Sequence, residues 1–316
     1  MSSTAVKFEG VKFEGVFPIL ATPFDEREQL DLESFDRLVR AMVGLGVDGV
    51  TILGVLGEAN RLTDREREQV IRTGIQAAQG KMPVMAGTSH SGTGATRELS
   101  QMAESLGAAG VMVTPSREPT PNDEKVFEYF SRVAEGIRIP IVAQDHPAST
   151  QVFMPVSLML RLVAELPNVA CLKAEAPPTP QRVTQLLKGM TGRQATILGG
   201  LGALYGIFDL ERGSHGFMTG FAFPEALQAM VAAAKRADWE RAWRVFTRFL
   251  PLIVFEQQPG LAIRKEICRL RGWIGCNRVR HPGGSIDPET QKQLQRLIQR
   301  TLGEVDLTRP IPLDRL

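Results

Sequence analysis

Eight short apolar runs punctuate the chain, and most are followed by a longer amphipathic stretch. The runs are Gly15–Thr22, Gly49–Leu53, Pro83–Ala86, Gly110–Thr114, Pro140–Ala143, Val169–Leu172, Ala195–Leu198 and Gly216–Met218. Most are rich in Val and Ile without polar alternation, as strands covered on both faces are. Between them, apolar residues recur at helical spacing, as Leu32, Phe35, Leu38, Val39, Met42 and Val43 do within Asp31–Leu45. Thr63-Asp64-Arg65-Glu66 opens Thr63–Ala78 as a capping box. Thr93–Leu106, Asp123–Gly136, Pro155–Leu166, Thr179–Leu187, Leu201–Phe208 and Pro224–Arg236 continue the series, with Gly107 and Gly136 placed as helix stops. Strand followed by helix, eight times in about 220 residues, calls for a parallel sheet with right-handed crossovers. Eight such strands close a (β/α)₈ TIM barrel, with a doubly wound open sheet as the rival.

The expected division is an irregular segment at 1–14, the barrel over 15–236 and a helical extension over 237–316. The extension reads as Trp239–Phe255, Leu261–Arg271 and Pro288–Leu302, then an irregular Asp306–Leu316. The basic stretch Arg264–Arg271 reads as solvated surface. Val6-Lys7-Phe8-Glu9-Gly10 repeats directly as Val11-Lys12-Phe13-Glu14-Gly15, which reads as an accident of the start site. With 37 basic and 35 acidic residues the net charge is +2, which gives no electrostatic case for nucleic acid or an anionic membrane. No apolar stretch approaches the roughly 20 residues that span a bilayer, and no secretory signal is visible. Three cysteines, Cys171, Cys268 and Cys276, lack metal-knuckle spacing and are too few for a disulfide scaffold. A cytoplasmic protein is expected. His90, His146, His215 and His281 show no paired spacing either, so no metal site is expected.

In a barrel of this kind the chemistry sits where strands end and βα loops begin. Strand two runs into Gly54-Val55-Leu56-Gly57-Glu58, strand three into His90, strand five into Gln144, strand seven into Gly199 and strand eight into Thr219. Lys173 ends strand six. Alternation places Val169, Cys171, Lys173 and Glu175 on one face and Ala170, Leu172 and Ala174 on the other, so Lys173 points into the mouth. Taking an amine out of water disfavours its charged form, and the neutral form is the one that attacks a ketone. Spacing alone leaves a structural ion pair with Glu175 equally open. The glycine-bracketed turn Gly54–Glu58 offers successive backbone N–H groups to a carboxylate, or is an ordinary turn whose glycines supply positive φ.

Phe17-Pro18-Ile19-Leu20-Ala21-Thr22-Pro23-Phe24, the Gly54–Glu58 turn with Leu62-Thr63-Asp64-Arg65-Glu66-Arg67 after it, and Lys173 together resemble the dihydrodipicolinate synthase / N-acetylneuraminate lyase family. The resemblance runs over roughly residues 13–300. It implies a (β/α)₈ barrel, a Schiff base between Lys173 and a 2-oxo acid, and a substrate carboxylate held at the Val55–Leu56 backbone. It also implies a homotetramer built as a dimer of dimers, and no metal or organic cofactor. Departures bear on the substrate. Val55 and Leu56 stand where family synthases usually carry two threonines, Gln144 where the proton-shuttling tyrosine would fall, and Ser149 near the place of the arginine that holds a second carboxylate.

Pro140 to Ser149, Lys173-Ala174-Glu175, Met218-Thr219-Gly220-Phe221 and the stretches Leu250–Ile253 and Arg280–Pro282 are similar to those of 2-keto-3-deoxy-L-arabonate dehydratases. The expected activity is therefore dehydration of a 2-keto-3-deoxy sugar acid. A pyruvate-dependent aldolase or synthase is the alternative, and a non-catalytic 2-oxo acid binder the third reading. Lys173 is the expected nucleophile. Glu175 is the first candidate for proton transfer, on the expectation that a crowded barrel raises its pKa, and Gln144 orients a hydroxyl or water. Val55, Leu56, Gly57, His90, Gly199 and Thr219 complete the expected substrate contacts.

Overall fold

The computed structural model describes residues 10–118, 122–258 and 260–313. Eight strands form one sheet of order β1-β8-β7-β6-β5-β4-β3-β2, and every registered pair is parallel. They are β1 (Gly15–Pro18), β2 (Val50–Ile52), β3 (Val84–Gly87), β4 (Gly110–Val113), β5 (Ile141–Asp145), β6 (Val169–Ala174), β7 (Thr196–Gly199) and β8 (Gly216–Thr219). The ring closes between β1 and β2 through the single bridge Ile19–Thr51, so the sheet is a nearly closed barrel. The first strand stops at Pro18, short of the expected Thr22. Beyond it the chain folds over the rim, where the Thr22 hydroxyl donates to the Gly57 carbonyl at 2.6 Å.

Around the barrel lie α1 (Leu32–Leu45), α2 (Asp64–Ala78), α3 (Thr93–Leu106), α4 (Asp123–Ala134), α5 (Pro147–Thr150), α6 (Val156–Glu165), α7 (Thr179–Gly189), α8 (Gly206–Glu211) and α9 (Pro224–Lys235). Their starts follow local chemistry. Thr63 and Glu66 exchange side-chain and backbone bonds as a full capping box ahead of α2, and Gly107 ends α3 at φ +99°. Gly136 is not a left-handed cap. It leaves room for Arg97, whose Cγ would lie 2.5 Å from a Cβ there. The expected seventh helix is broken into a 3₁₀ turn, Leu201–Ala203, and the short α8, because Leu201, Gly202 and Ala203 take φ +50°, +64° and +63°. Three further helices, α10 (Trp239–Glu256), α11 (Leu261–Leu270) and α12 (Pro288–Leu302), pack outside this ring.

The core is layered. Apolar residues between strands and helices form two large clusters, and a smaller one fills the barrel interior with Phe17, Ile19, Met85, Met112, Val142, Cys171, Leu198 and Met218. Phe13, 2 % exposed, joins that interior plug, so the second VKFEG copy is built into the barrel floor. Residues 6–9 of the first copy lie outside the described residues. The register slips between Ile141–Val169 and Val142–Cys171, a bulge that sets two residues against one. Val169 therefore packs with the helix layer and Ala170 against the interior, the reverse of the simple alternation. Above the bulge the pattern recovers, and Cys171 and Lys173 face inward as expected.

Candidate active site at the barrel mouth

The register sets Gln144 beside Lys173 and Lys173 beside Leu198, at the carboxyl ends of β5, β6 and β7. Lys173 is 3 % exposed, and its Nζ lies 3.1 Å from Glu175 Oε2. The same oxygen accepts a hydrogen bond from Gln144 Nε2 at 2.7 Å, and Oε1 accepts one from the Leu201 backbone N–H at 3.0 Å. Gly200 makes this possible, because a Cβ there would lie 2.0 Å from Glu175 Oε1. The expectation of a raised carboxyl pKa at Glu175 fails. Burial does push it up, but the charges of Lys173 and His146 and the two hydrogen bonds outweigh burial and hold it below the ordinary value.

A cavity of about 170 Å³ opens on this cluster, lined by Val55, Leu56, Gln144, His146, Lys173, Glu175 and Thr219 among others. Its far wall comes from the C-terminal helices, through Glu256, Gln257 and Arg264. A second cavity of about 670 Å³ adjoins it, sharing Val55 and Gln144 and adding Asn60, Arg67, Ser89, His90, Ser116 and Ser149. Of the expected contacts, the structure therefore gathers Lys173, Glu175, Gln144, Val55, Leu56 and Thr219 into one chamber. His90 stands in the outer chamber, where its Nδ1 accepts from the Gly92 N–H at 3.0 Å.

Gly57 and Gly199 line neither cavity. The Gly57 N–H is spent on the Gly54 carbonyl at 2.9 Å, and Gly199 is packed between Phe217 and Asp209. Val55–Gly57 is a 3₁₀ turn, which leaves its leading N–H groups without intrahelical partners. The positive φ values fall on its neighbours Leu53 (+57°) and Glu58 (+53°) rather than on the glycines. Gly54 instead allows close approach, with Ile19 Cγ2 3.0 Å from a Cβ built there.

Two residues escaped the sequence reading. His146 shares the inner chamber, and burial, opposed by the Glu175 charge, lowers its pKa below the usual imidazole value. Its Nδ1 sits 2.6 Å from Ser149 Oγ. Its position one residue past β5 was the available signal. Arg264 is the second, and the solvated reading of its stretch is wrong: Arg264, Lys265 and Arg271 are all under 5 % exposed. Each pairs with a buried acid, Glu256, Glu58 and Glu225 respectively. Cys171 is a core residue whose thiol burial pushes up to about 12. Among the described residues no three His, Cys, Asp or Glu side chains gather as metal ligands, and no helix is long and apolar enough to cross a membrane.

An eight-stranded parallel barrel with a lysine buried at its mouth is the framework of lysine-dependent lyases. The chain belongs to the dihydrodipicolinate synthetase family, whose family model matches residues 12–301. Its fold and family are those of class I, Schiff-base-forming 2-oxo acid lyases. It is similar to the L-2-keto-3-deoxyarabonate dehydratase of Azospirillum brasilense, 33% identical over 297 residues that cover 92% of this chain and 94% of that protein. It is also similar to the 4-hydroxy-tetrahydrodipicolinate synthase of Methanosarcina mazei, 30% identical over 292 residues covering 91% and 98%. Among solved structures, a dihydrodipicolinate synthase from Rhodopseudomonas palustris superposes with a TM-score of 0.86 at 35% identity, covering 91% of this chain and 97% of that one.

Proposed function

We propose that Lys173 forms an imine with pyruvate, or with the pyruvate end of a longer 2-oxo acid, and that the chain makes or breaks the carbon–carbon bond next to it. The observation that carries this reading is the step in size between the two chambers, about 170 Å³ around Lys173 and about 670 Å³ beyond Val55 and Gln144. A cavity of about 150 Å³ takes one benzene, and pyruvate likewise has six heavy atoms. The inner chamber suits that piece, and the outer one suits an aldehyde. The Methanosarcina and Rhodopseudomonas relatives, both named as synthases, favour this reading over the dehydratase expectation.

In the cleavage direction Lys173 Nζ adds to the C2 ketone and water leaves. The iminium draws the C3–C4 electron pair into an enamine as the C4 hydroxyl gives up its proton and departs as an aldehyde. Protonation at C3 and hydrolysis release pyruvate and the free amine. Glu175, held as a carboxylate, balances the iminium charge. His146, which lines the same chamber, carries the proton. The Val55 and Leu56 N–H groups face the acid's carboxylate.

A second reading keeps the imine and expels the C4 hydroxyl as water. The Azospirillum dehydratase favours it. Product analysis separates the two, because free pyruvate appears only when the carbon–carbon bond breaks. Borohydride in the presence of pyruvate should add a fixed mass at Lys173. Thermal stabilisation by pyruvate without that adduct would leave only a binding protein.

A further inference from the structure

One side-chain pair bridges the two chambers. His146, the residue after β5, is half-buried and lines the inner chamber with Lys173 and Glu175. Ser149, three residues on, is exposed and lines the outer chamber instead. His146 Nδ1 lies 2.6 Å from Ser149 Oγ, a distance at which one hydrogen is held between them. The hydroxyl's other acceptor, the His146 carbonyl, is farther off at 3.3 Å. The ring is not engaged in capping α5, since no backbone N–H of that helix donates to it. Among the described residues Nε2 has no hydrogen-bond partner and is not closed off, so it is left to the inner chamber. Burial lowers the imidazole's pKa, while Glu175 pulls it up and Lys173 down, so both charges of the lysine cluster act on the ring.

A 2-oxo acid joined to Lys173 at C2 has its C3 in the inner chamber and its C4 oxygen where the space widens past Gln144, which lines both chambers. The His146–Ser149 pair spans the same step. We infer that His146 and Ser149 form a proton path between the two reacting carbons, with Ser149 the group that touches the C4 oxygen. The inference rests on the imine reading above and gives that reading its proton route. In cleavage, the C4 hydroxyl passes its proton to Ser149 Oγ as that oxygen passes its own to His146 Nδ1. The C3–C4 electron pair moves into the iminium and leaves a neutral enamine and an aldehyde. The imidazolium, steadied by the Glu175 carboxylate, then gives its Nε2 proton to C3. The proton released by imine hydrolysis restores Nε2, and the one on Nδ1 leaves through the exposed Ser149. Dehydration would run the path the other way: C3 gives its proton to Nε2, and Ser149 hands one to the departing C4 hydroxyl.

The test separates chemistry at C3 from chemistry at C4. Exchange of the pyruvate methyl hydrogens in heavy water, followed by NMR, needs Lys173 and His146 but not Ser149. Turnover of racemic 2-keto-3-deoxypentonate needs all three. Ser149→Ala should therefore cut that turnover roughly 10²-fold, the lower end for a general acid–base group, while exchange and borohydride trapping of pyruvate stay within about threefold. Ser149→Thr, which keeps a hydroxyl, should recover most of the loss. His146→Gln should cut exchange and turnover alike, and adding Ser149→Ala to it should slow turnover no further, because parts of one path fall together. Native turnover in Ser149→Ala, native exchange in His146→Gln, or losses that multiply in the double variant overturn the path. A native chain that traps no pyruvate overturns the imine reading instead, and this inference with it. If the native chain traps pyruvate but does not turn over the pentonate, the structure of the reduced pyruvate adduct decides. A methyl carbon facing His146 Nε2 supports the path, and one turned away from it ends it.

Discussion

The two walls of the inner chamber are built on different principles. The barrel wall comes from strand ends, where parallel register fixes neighbours: Gln144 beside Lys173, with Glu175 two residues on. The opposite wall comes from α10 and α11, where burial of Glu256 and Arg264 depends on what else packs there. In a strand, the side of the sheet follows from position. In a helix outside the barrel, a charged face is compatible with water or with buried partners, and sequence periodicity does not choose between them. The buried lysine is therefore a product of the barrel, and the buried Arg264–Glu256 pair a product of what was added to it.

The largest effect tests the barrel wall. Lys173→Ala should reduce turnover and borohydride adduct to background with the fold unchanged by circular dichroism. Surviving adduct would move the nucleophile elsewhere. Next comes Gly200→Ala, whose new Cβ would sit 2.0 Å from Glu175 Oε1 and must push that carboxylate off Lys173 and the Leu201 N–H. A displacement of about 1 Å at a catalytic group costs roughly 10²-fold, so kcat should fall by about that much. Gly94→Ala, with nothing within 4 Å of the added carbon, is the control and should keep native activity.

These residues also mark what the sequence made legible. The eight strands and the inward aim of Lys173 follow from period and order, which local apolar patterning sets directly. The bulge at Val169–Ala170 did not, because it is imposed by pairing with β5 rather than by composition. Gly57 and Gly199 were expected at the mouth because they follow strands, yet one spends its N–H locally and the other is packed under Phe217 and Asp209. Position along a strand tells height and face, but not whether a backbone donor is still free. The charged run in α11 hid its role completely, because each partner, Glu58, Glu225 or Glu256, is far away in sequence or on another helix.

The tail's contribution to stability is tested at Lys265. Its side chain is fully buried, 2.5 Å from Glu58 Oε1, and stacks over the Phe24 ring at 4.4 Å. Glu58 directly follows the Val55–Gly57 turn, so this pair fastens α11 to the chamber's floor. Lys265→Met should destabilise the chain by about 3–5 kcal/mol in urea denaturation, the usual cost of breaking a buried pair. Adding Glu58→Gln should restore part of the loss, because no buried carboxylate then faces the apolar side chain at position 265, while Arg61, 2.6 Å from Glu58 Oε2, gives up its own partner. If the single and double variants are equally unstable, packing rather than charge joins the two regions.

The smallest effect concerns a buried acid of the barrel layer that, unlike those of the tail, has no cation within ion-pair distance among the described residues. Asp209 on α8 is 3% exposed and accepts one hydrogen bond, from the Thr179 hydroxyl at 2.7 Å. Burial, only partly opposed by that bond, raises its pKa from 3.8 to about 7. The folded chain thus keeps a proton that the unfolded chain releases near pH 4. The stability tied to this group is fully present below pH about 4 and is lost as pH rises through about 7. Between pH 5 and pH 8 the native chain should lose about 2–3 kcal/mol from this source. Asp209→Asn keeps an acceptor for Thr179 and removes the charge, so its denaturation midpoint should change less over that range. An unchanged pH dependence in the variant would mean that Asp209 stays ionised, and that the barrel layer, like the tail, carries a counter-charge for it.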